Sequence, residues 1–154
     1  MPQILIIEDD EKLREELKIF LNKNGYEATT LITFENTIQD ILKINPDLIL
    51  LDINLPNTDG EYICKEVRKQ SNMPIIIITS RDNELDELLS INNGADHYIT
   101  KPFSVREVVA RVKANLRKVE ANIEAQATAQ KEEEAKEKKK ERKNKEDNYW
   151  LSEE

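Results

Sequence analysis

The residues best suited to chemistry in this sequence are acids that directly follow short apolar runs. Glu8 and Asp9 end the run Ile4–Ile7, and Asp52 follows Leu50 and Leu51. Burying an ionised carboxylate without a partner costs several kcal/mol, so acids at these positions need an explanation. The residues alone leave two explanations open, since the acids either begin the next helix or bind a cation.

A hydroxyl and a lysine follow two further apolar runs. Thr79 and Ser80 come after Ile75–Ile78, and Lys101 comes two residues after Ile99. Carboxylate ligands without His or Cys favour a hard divalent ion such as Mg²⁺. A lysine and a hydroxyl beside that ion would bind a phosphoryl group. One carboxylate would then be the nucleophile that forms an aspartyl phosphate.

The apolar runs have the lengths and composition of buried strands. Four are rich in Ile and Leu, and a fifth, more polar one fits an edge strand; they are Gln3–Ile7, Asp47–Leu51, Pro74–Thr79, Asp96–Ile99 and Tyr26–Leu31. Strands that are apolar on both faces and alternate with helices predict an α/β fold with a parallel sheet covered on both sides. Such sheets bind ligands at the carboxyl ends of their strands, so we expect the acids, the hydroxyl and the lysine to meet there.

The stretches between the strands carry apolar residues at helical spacing. The third helix has Tyr62, Ile63 and Val67, and the fourth has the face Leu85, Leu88 and Leu89. Apolar stripes of this kind predict helices that pack against the sheet.

Four segments carry a family resemblance. "LIIEDD", "LLDINLPNTDG", "IIIITSRD" and "GADHYITKPF" resemble, in order and spacing, the receiver domain of bacterial two-component response regulators over roughly residues 2–120. The resemblance implies a doubly wound, flavodoxin/CheY-like sheet of five parallel strands in order 2-1-3-4-5, with five helices.

The resemblance also implies a role for each site residue. Asp52 would accept phosphate from a sensor histidine kinase, with Mg²⁺ as the cofactor. The metal ligands would be Glu8, Asp9, Asp52 and the backbone carbonyl of Asn54. Thr79 and Lys101 would bind the phosphoryl group, and Thr79 and Tyr98 would form the switch. Asp10 would begin the first helix, and the Lys101–Pro102 peptide would be cis.

The end of the chain differs from the rest in composition. An apolar stripe runs from Val105 to Ile123 after a capping pattern at Ser104 and Glu107. Lys131 to Asp147 then holds 15 charged residues in 17, eight basic and seven acidic. We therefore expect a receiver domain over 1–120 and a charged helical or disordered tail over 121–154, with the apolar Tyr149–Leu151 near its end.

The segment "KPFSVREVVARVKANLR" resembles the subfamily with a winged-helix DNA-binding domain, the OmpR-like class. Its members form homodimers through the fourth helix, fifth strand and fifth helix. Asp96 and Lys118 could form one bridge between two copies, whereas Glu87 would face the acid Glu107. Two outputs of the switch stay open. One is transcription control through a DNA-binding domain absent from this chain, and the other is protein contacts that a stand-alone receiver makes through its extended last helix.

Composition excludes several other classes of function. A net charge of −8 argues against a general nucleic-acid surface, and the single Cys64 excludes an intrachain disulfide. Neither a secretion signal nor a membrane-length apolar run is present in the sequence, which predicts a cytoplasmic protein without a membrane partner. A hydrolase that used Asp52 as nucleophile would need an acid where Asn54 stands, so we expect a phosphoacceptor that catalyses its own phosphorylation and not a dedicated enzyme.

Overall fold

The computed structural model describes residues 1–56, 58–81 and 83–152, with side chains up to residue 145. Strands and helices alternate along the whole chain. The strands are β1 (Gln3–Ile7), β2 (Glu27–Thr30), β3 (Leu48–Leu51), β4 (Ile75–Thr79) and β5 (His97–Thr100). The helices are α1 (Glu11–Lys23), α2 (Thr37–Ile44), α3 (Gly60–Gln70), α4 (Glu84–Asn92) and α5 (Val105–Ser152). All five predicted strands are confirmed, β1 with the predicted bounds and the other four with boundaries shifted by one residue.

The five strands form one parallel sheet in the order β2-β1-β3-β4-β5. The register pairs Ile7 with Leu51 and Thr79 with Thr100, so the strand ends are level with one another. This is the doubly wound order that the family resemblance implied. Its chain reversal lies between β1 and β3, where such folds build ligand sites.

Two apolar clusters hold the sheet from opposite faces. On one face, Ile41 of α2 and Val67 of α3 pack with Leu5 and Ile49. On the other, Leu17 of α1 and Val112 of α5 pack with Ile6 and Leu50. Every residue of β1 from Ile4 onward, and all of β3 and β4, is buried, which explains why these strands are apolar on both faces.

The predicted buried face of helix α4 is wrong. Leu85 and Leu88, expected to form its buried face, are 60% and 57% exposed, and Leu89 is also exposed. The buried residue is Ser90, whose hydroxyl donates to Glu61 Oε1 of α3 at 3.0 Å. Tyr62, expected on the buried face of α3, is likewise exposed.

The helix starts follow their capping residues. Asp10 caps α1 by accepting from the N–H groups of Lys12 and Leu13, which confirms its predicted role. Ser104 Oγ accepts from Arg106 N at the start of α5. Glu107 N donates to Ser104 O at 3.0 Å, but no bond from the Glu107 side chain to Ser104 N is found among the described residues, so the reciprocal side-chain bond of the expected capping box does not form.

The chain separates into two compact units, Met1–Leu116 and Arg117–Glu154. The first contains the sheet and both apolar clusters. In the second, the side chains from Ala121 to Lys145 are all exposed. Tyr149–Leu151 lies beyond the side chains that the structure describes. Among the described residues, no helix is long and apolar enough to cross a membrane.

Candidate functional site

Three carboxylates converge at the carboxyl ends of β1 and β3. Glu8 and Asp52 are buried and Asp9 is exposed, and one ligand atom from each lies within 4.8 Å of the others. Glu8 is the first residue after β1 and Asp52 the first after β3, and Asp52 N donates to Ile7 O at 2.9 Å. The predicted acidic cluster is therefore present, with two of its members shielded from water.

Lys101 is the cation that contacts the two buried acids. Its Nζ lies 2.8 Å from Glu8 Oε2 and 3.0 Å from Asp52 Oδ2. The backbone N–H of Lys101 donates to Thr79 O at 2.7 Å, which fixes the residue against the end of β4. The following peptide bond to Pro102 is cis, as predicted.

The two carboxylates are held by backbone donors as well as by the lysine. Asn54 N donates to Asp52 Oδ1 at 2.9 Å, and Asp10 N donates to Glu8 Oε1 at 3.0 Å. One oxygen of Asp52 thus accepts from the backbone and the other from Lys101. This arrangement fixes the orientation of the Asp52 carboxylate.

Burial and the contacts between Lys101 and the two buried acids together set the electrostatics of the cluster. Burial raises the pKa of Glu8 to about 7, although Lys101 and the Asp10 N–H act in the opposite direction. Burial would lower the pKa of Lys101, but the contacts with Glu8 and Asp52 outweigh it and the pKa is raised. The lysine is therefore a permanent cation near neutral pH.

The cluster fits a divalent cation. Glu8, Asp9 and Asp52 carry three negative charges when ionised, and Lys101 supplies one positive charge. The local balance is then −2, with two of the acids buried. Oxygen donors without His or Cys are the ligands that Mg²⁺ prefers. The backbone carbonyl of Asn54 stays a prediction as the fourth ligand. The contact that Asn54 makes with Asp52 is through its N–H group and does not involve the carbonyl.

Thr79 is buried beside this cluster and is linked to it through Asn54. Its Oγ1 accepts from Asn54 Nδ2 and from Arg81 N, both at 3.3 Å. Arg81 Nε in turn donates to Asn54 Oδ1 at 2.6 Å. No hydrogen bond between Thr79 and Asp52 is found among the described residues, so the hydroxyl contacts the neighbours of the carboxylate.

Tyr98 reaches the same group of residues from β5. Its hydroxyl donates to Arg81 O at 2.6 Å. Burial, assisted by the charge of Asp86, raises the pKa of Tyr98 to about 12, so the phenol stays protonated as a donor. Arg81 therefore connects the tyrosine to Asn54 and Thr79.

Gly60 is a contributor to the site that the sequence interpretation missed. A Cβ at this position would overlap the backbone of Ile53 and would lie 2.8 Å from Asp52 O. The first turn of α3 can therefore approach the residues after β3 only because position 60 has no side chain. The available signal was a glycine placed directly after Asp59, the capping residue of α3.

The family model for the response regulator receiver domain matches residues 4–113. Among solved structures, the BeF₃-activated N-terminal receiver domain of Klebsiella pneumoniae RstA is 32% identical, with a TM-score of 0.70 over 75% of this chain and 98% of that one. A two-component response regulator from Clostridium difficile is 34% identical, with a TM-score of 0.73 over 77% and 98%. The N-terminal domain of the nisin resistance regulator NsrR is 38% identical, with a TM-score of 0.68 over 75% and 98%.

Proposed function

Because the chain belongs to the response regulator receiver family, we propose that it is a Mg²⁺-dependent switch phosphorylated on Asp52 by a sensor histidine kinase. Receiver domains of this family accept phosphate from histidine kinases and bind Mg²⁺ at an acidic pocket. The observation that carries the proposal is the Asp52 carboxylate itself, which is buried, held by Asn54 N and Lys101, and flanked by Glu8 and Asp9.

The proposed reaction is a single phosphoryl transfer. An oxygen of Asp52 attacks the phosphorus of the phosphohistidine, the O–P bond forms, the N–P bond breaks, and the imidazole leaves with the electron pair. Lys101, already 3.0 Å from Asp52 Oδ2, supplies a positive charge for the incoming phosphoryl oxygens. Mg²⁺, when bound, neutralises charge on both the carboxylates and the transferred group. The domain catalyses its own modification and is not a dedicated enzyme.

The proposed switch starts from the hydrogen bonds around Arg81. Phosphorylation gives the Thr79 hydroxyl a new partner and draws it from Asn54, after which Tyr98 exchanges its bond to Arg81 O for a more buried position. A local change in charge then biases a two-state element, here the surface formed by α4, β5 and α5.

For output, we propose transcription control through a DNA-binding domain outside this chain, as in the OmpR-like class. The sequence over Lys101–Arg117 supports this choice, and the similar RstA and NsrR domains are N-terminal parts of longer regulators. A stand-alone receiver is the second candidate, favoured by the continuation of α5 as a helix to Ser152.

A salt bridge from Asp96 to Lys118 of a second copy would compete with the ion pair that Asp96 forms with Arg68 of its own chain at 2.9 Å.

The test is intact-mass spectrometry after incubation with acetyl phosphate, with Mg²⁺ or with EDTA. We expect one added phosphoryl group that requires Mg²⁺ and is lost in Asp52→Asn. Asp9→Asn should reduce the rate at limiting Mg²⁺ at least tenfold. The matched control Asp10→Asn should stay within twofold, because an asparagine can still cap α1. Absence of the added mass in rapidly quenched samples would contradict the proposal.

A further inference from the structure

Most charges of α5 between Lys131 and Lys145 are separated onto two sides of the helix. From Lys131 to Lys145 the helix has eight basic and five acidic residues, all exposed. At about 100° per residue, four of the acids fall within an arc of about 100°. These are Glu133, Glu134, Glu137 and Glu141. All eight basic residues fall in the remaining arc of about 220°, which also contains Glu132.

This separation produces a cationic surface that the net charge conceals. The whole chain carries −8, and Lys131–Asp147 as a whole carries only +1. Between the acids at 132–134 and 146–147, residues 136–145 contain seven basic and two acidic residues, a local balance of +5. Both acids of that stretch, Glu137 and Glu141, lie in the acidic arc. Charges further than a Debye length of about 8 Å are largely screened at physiological salt, so a partner of this face responds to its local charge. The negative total, which argued against a nucleic-acid surface, is therefore the wrong measure here.

We propose that this cationic face binds the phosphate backbone of duplex nucleic acid. Lys136, Lys139, Lys140 and Lys143 are spaced i, i+3, i+4 and i+7, so they line one side of the helix over about 10 Å. A row of cations along one side of a helix suits a regular array of phosphates, and such contacts need no particular base sequence.

The composition of the same segment argues against the other polyanions. Stable residence on a lipid surface needs an apolar helix face, and between Lys131 and Lys145 the only apolar residue is Ala135. Single-stranded nucleic acid is held largely by stacking on aromatic side chains, and this stretch contains none. Of these three polyanions, the duplex backbone is the one that requires only positive charge.

The test is fluorescence anisotropy of a labelled 24-base-pair duplex titrated with the full chain between 50 and 200 mM NaCl. The variant Lys139→Gln/Lys140→Gln/Lys143→Gln replaces three cations with glutamine, whose helix propensity is close to that of lysine. We expect at least a tenfold loss of affinity at 50 mM NaCl. The slope of log affinity against log salt should become shallower by about one for each lysine that contacts a phosphate.

The matched control is Lys23→Gln/Lys43→Gln/Lys65→Gln. These lysines are exposed on α1, α2 and α3, and their loss changes the net charge by the same amount. We expect the control to bind within twofold of the unmodified chain. Equal weakening in both variants would show that overall charge, and not this face, governs binding.

Two further results would overturn the proposal. One is the absence of binding at 50 mM NaCl while circular dichroism shows an intact helix. The other is binding to vesicles with 30% phosphatidylserine that is at least as tight as binding to the duplex.

Glu133→Gln/Glu137→Gln/Glu141→Gln should instead strengthen duplex binding, because it removes repulsion without adding a contact.

Discussion

At the scale of single residues, Glu8 and Asp9 show how neighbours in sequence acquire different properties. Glu8 is fully buried and contacts Lys101, whereas Asp9 is exposed. Residue types and spacing were enough to predict that both acids lie at the carboxyl end of β1, where the acidic cluster is found. They did not predict which acid is buried, because that depends on the side to which each side chain turns after β1.

The buried Glu8 gives the metal-free protein a specific pH dependence. Its folded-state pKa of about 7 lies above the ordinary value of 4.5. A raised carboxyl pKa stabilises the fold fully below the unfolded pKa, and this stability is lost as pH rises through the folded pKa. In EDTA, wild type should therefore lose on the order of 2 kcal/mol relative to Glu8→Gln between pH 5 and 8.

Urea unfolding at pH 5, 6, 7 and 8 measures this difference. Glu15→Gln, which removes an exposed acid from α1, controls for the loss of one negative charge. Parallel stability profiles for wild type and Glu8→Gln would show that Glu8 is ionised throughout this pH range.

At the scale of elements, the strands were predictable and the orientation of α4 was not. A strand buried on both faces must be apolar along its length, so the apolar runs Leu48–Leu51 and Ile75–Ile78 could be predicted as strands. The face that a short helix buries depends on its neighbours. In α4 a hydrogen bond from Ser90 to Glu61 turns the serine inward and leaves the leucines in solvent, which no apolar pattern could reveal.

The burial of Ser90 and the exposure of the leucines in α4 have measurable consequences for stability. Ser90→Ala removes a buried hydroxyl bonded at 3.0 Å and should lower the free energy of unfolding by about 1 kcal/mol. Leu88→Gln changes a residue that is 57% exposed and should stay within about 0.5 kcal/mol of wild type. Urea unfolding of both variants decides between the two orientations. A larger loss for Leu88→Gln would mean that α4 buries its leucines after all.

At the scale of the whole molecule, the site and the cationic face belong to different units. Met1–Leu116 contains both apolar clusters and every residue of the proposed phosphorylation site. The exposed side chains from Ala121 to Lys145 add no apolar burial that folding would require. The end of the apolar stripe at Ile123 led us to predict a boundary after residue 120, and the compact units divide after Leu116. The charge separation of the tail becomes visible only once the tail is known to be helical.

A fragment of residues 1–120 should therefore retain the receiver's properties and lose those of the tail. We expect its free energy of unfolding to stay within about 1 kcal/mol of the full chain, because both core clusters remain intact. Its Mg²⁺-dependent phosphorylation by acetyl phosphate should be unchanged, and its binding to duplex nucleic acid should disappear.

A shorter fragment of residues 1–107 is the contrasting control. It lacks Val108, Val109 and Val112, which are buried against the sheet. Each contributes about 1.5 kcal/mol or more on burial, so their combined loss approaches the whole stability of a typical domain. This fragment should not unfold cooperatively. If 1–120 behaved in the same way, the second unit would be part of the receiver's fold; if 1–120 folded but could not be phosphorylated, the tail would contribute to the site.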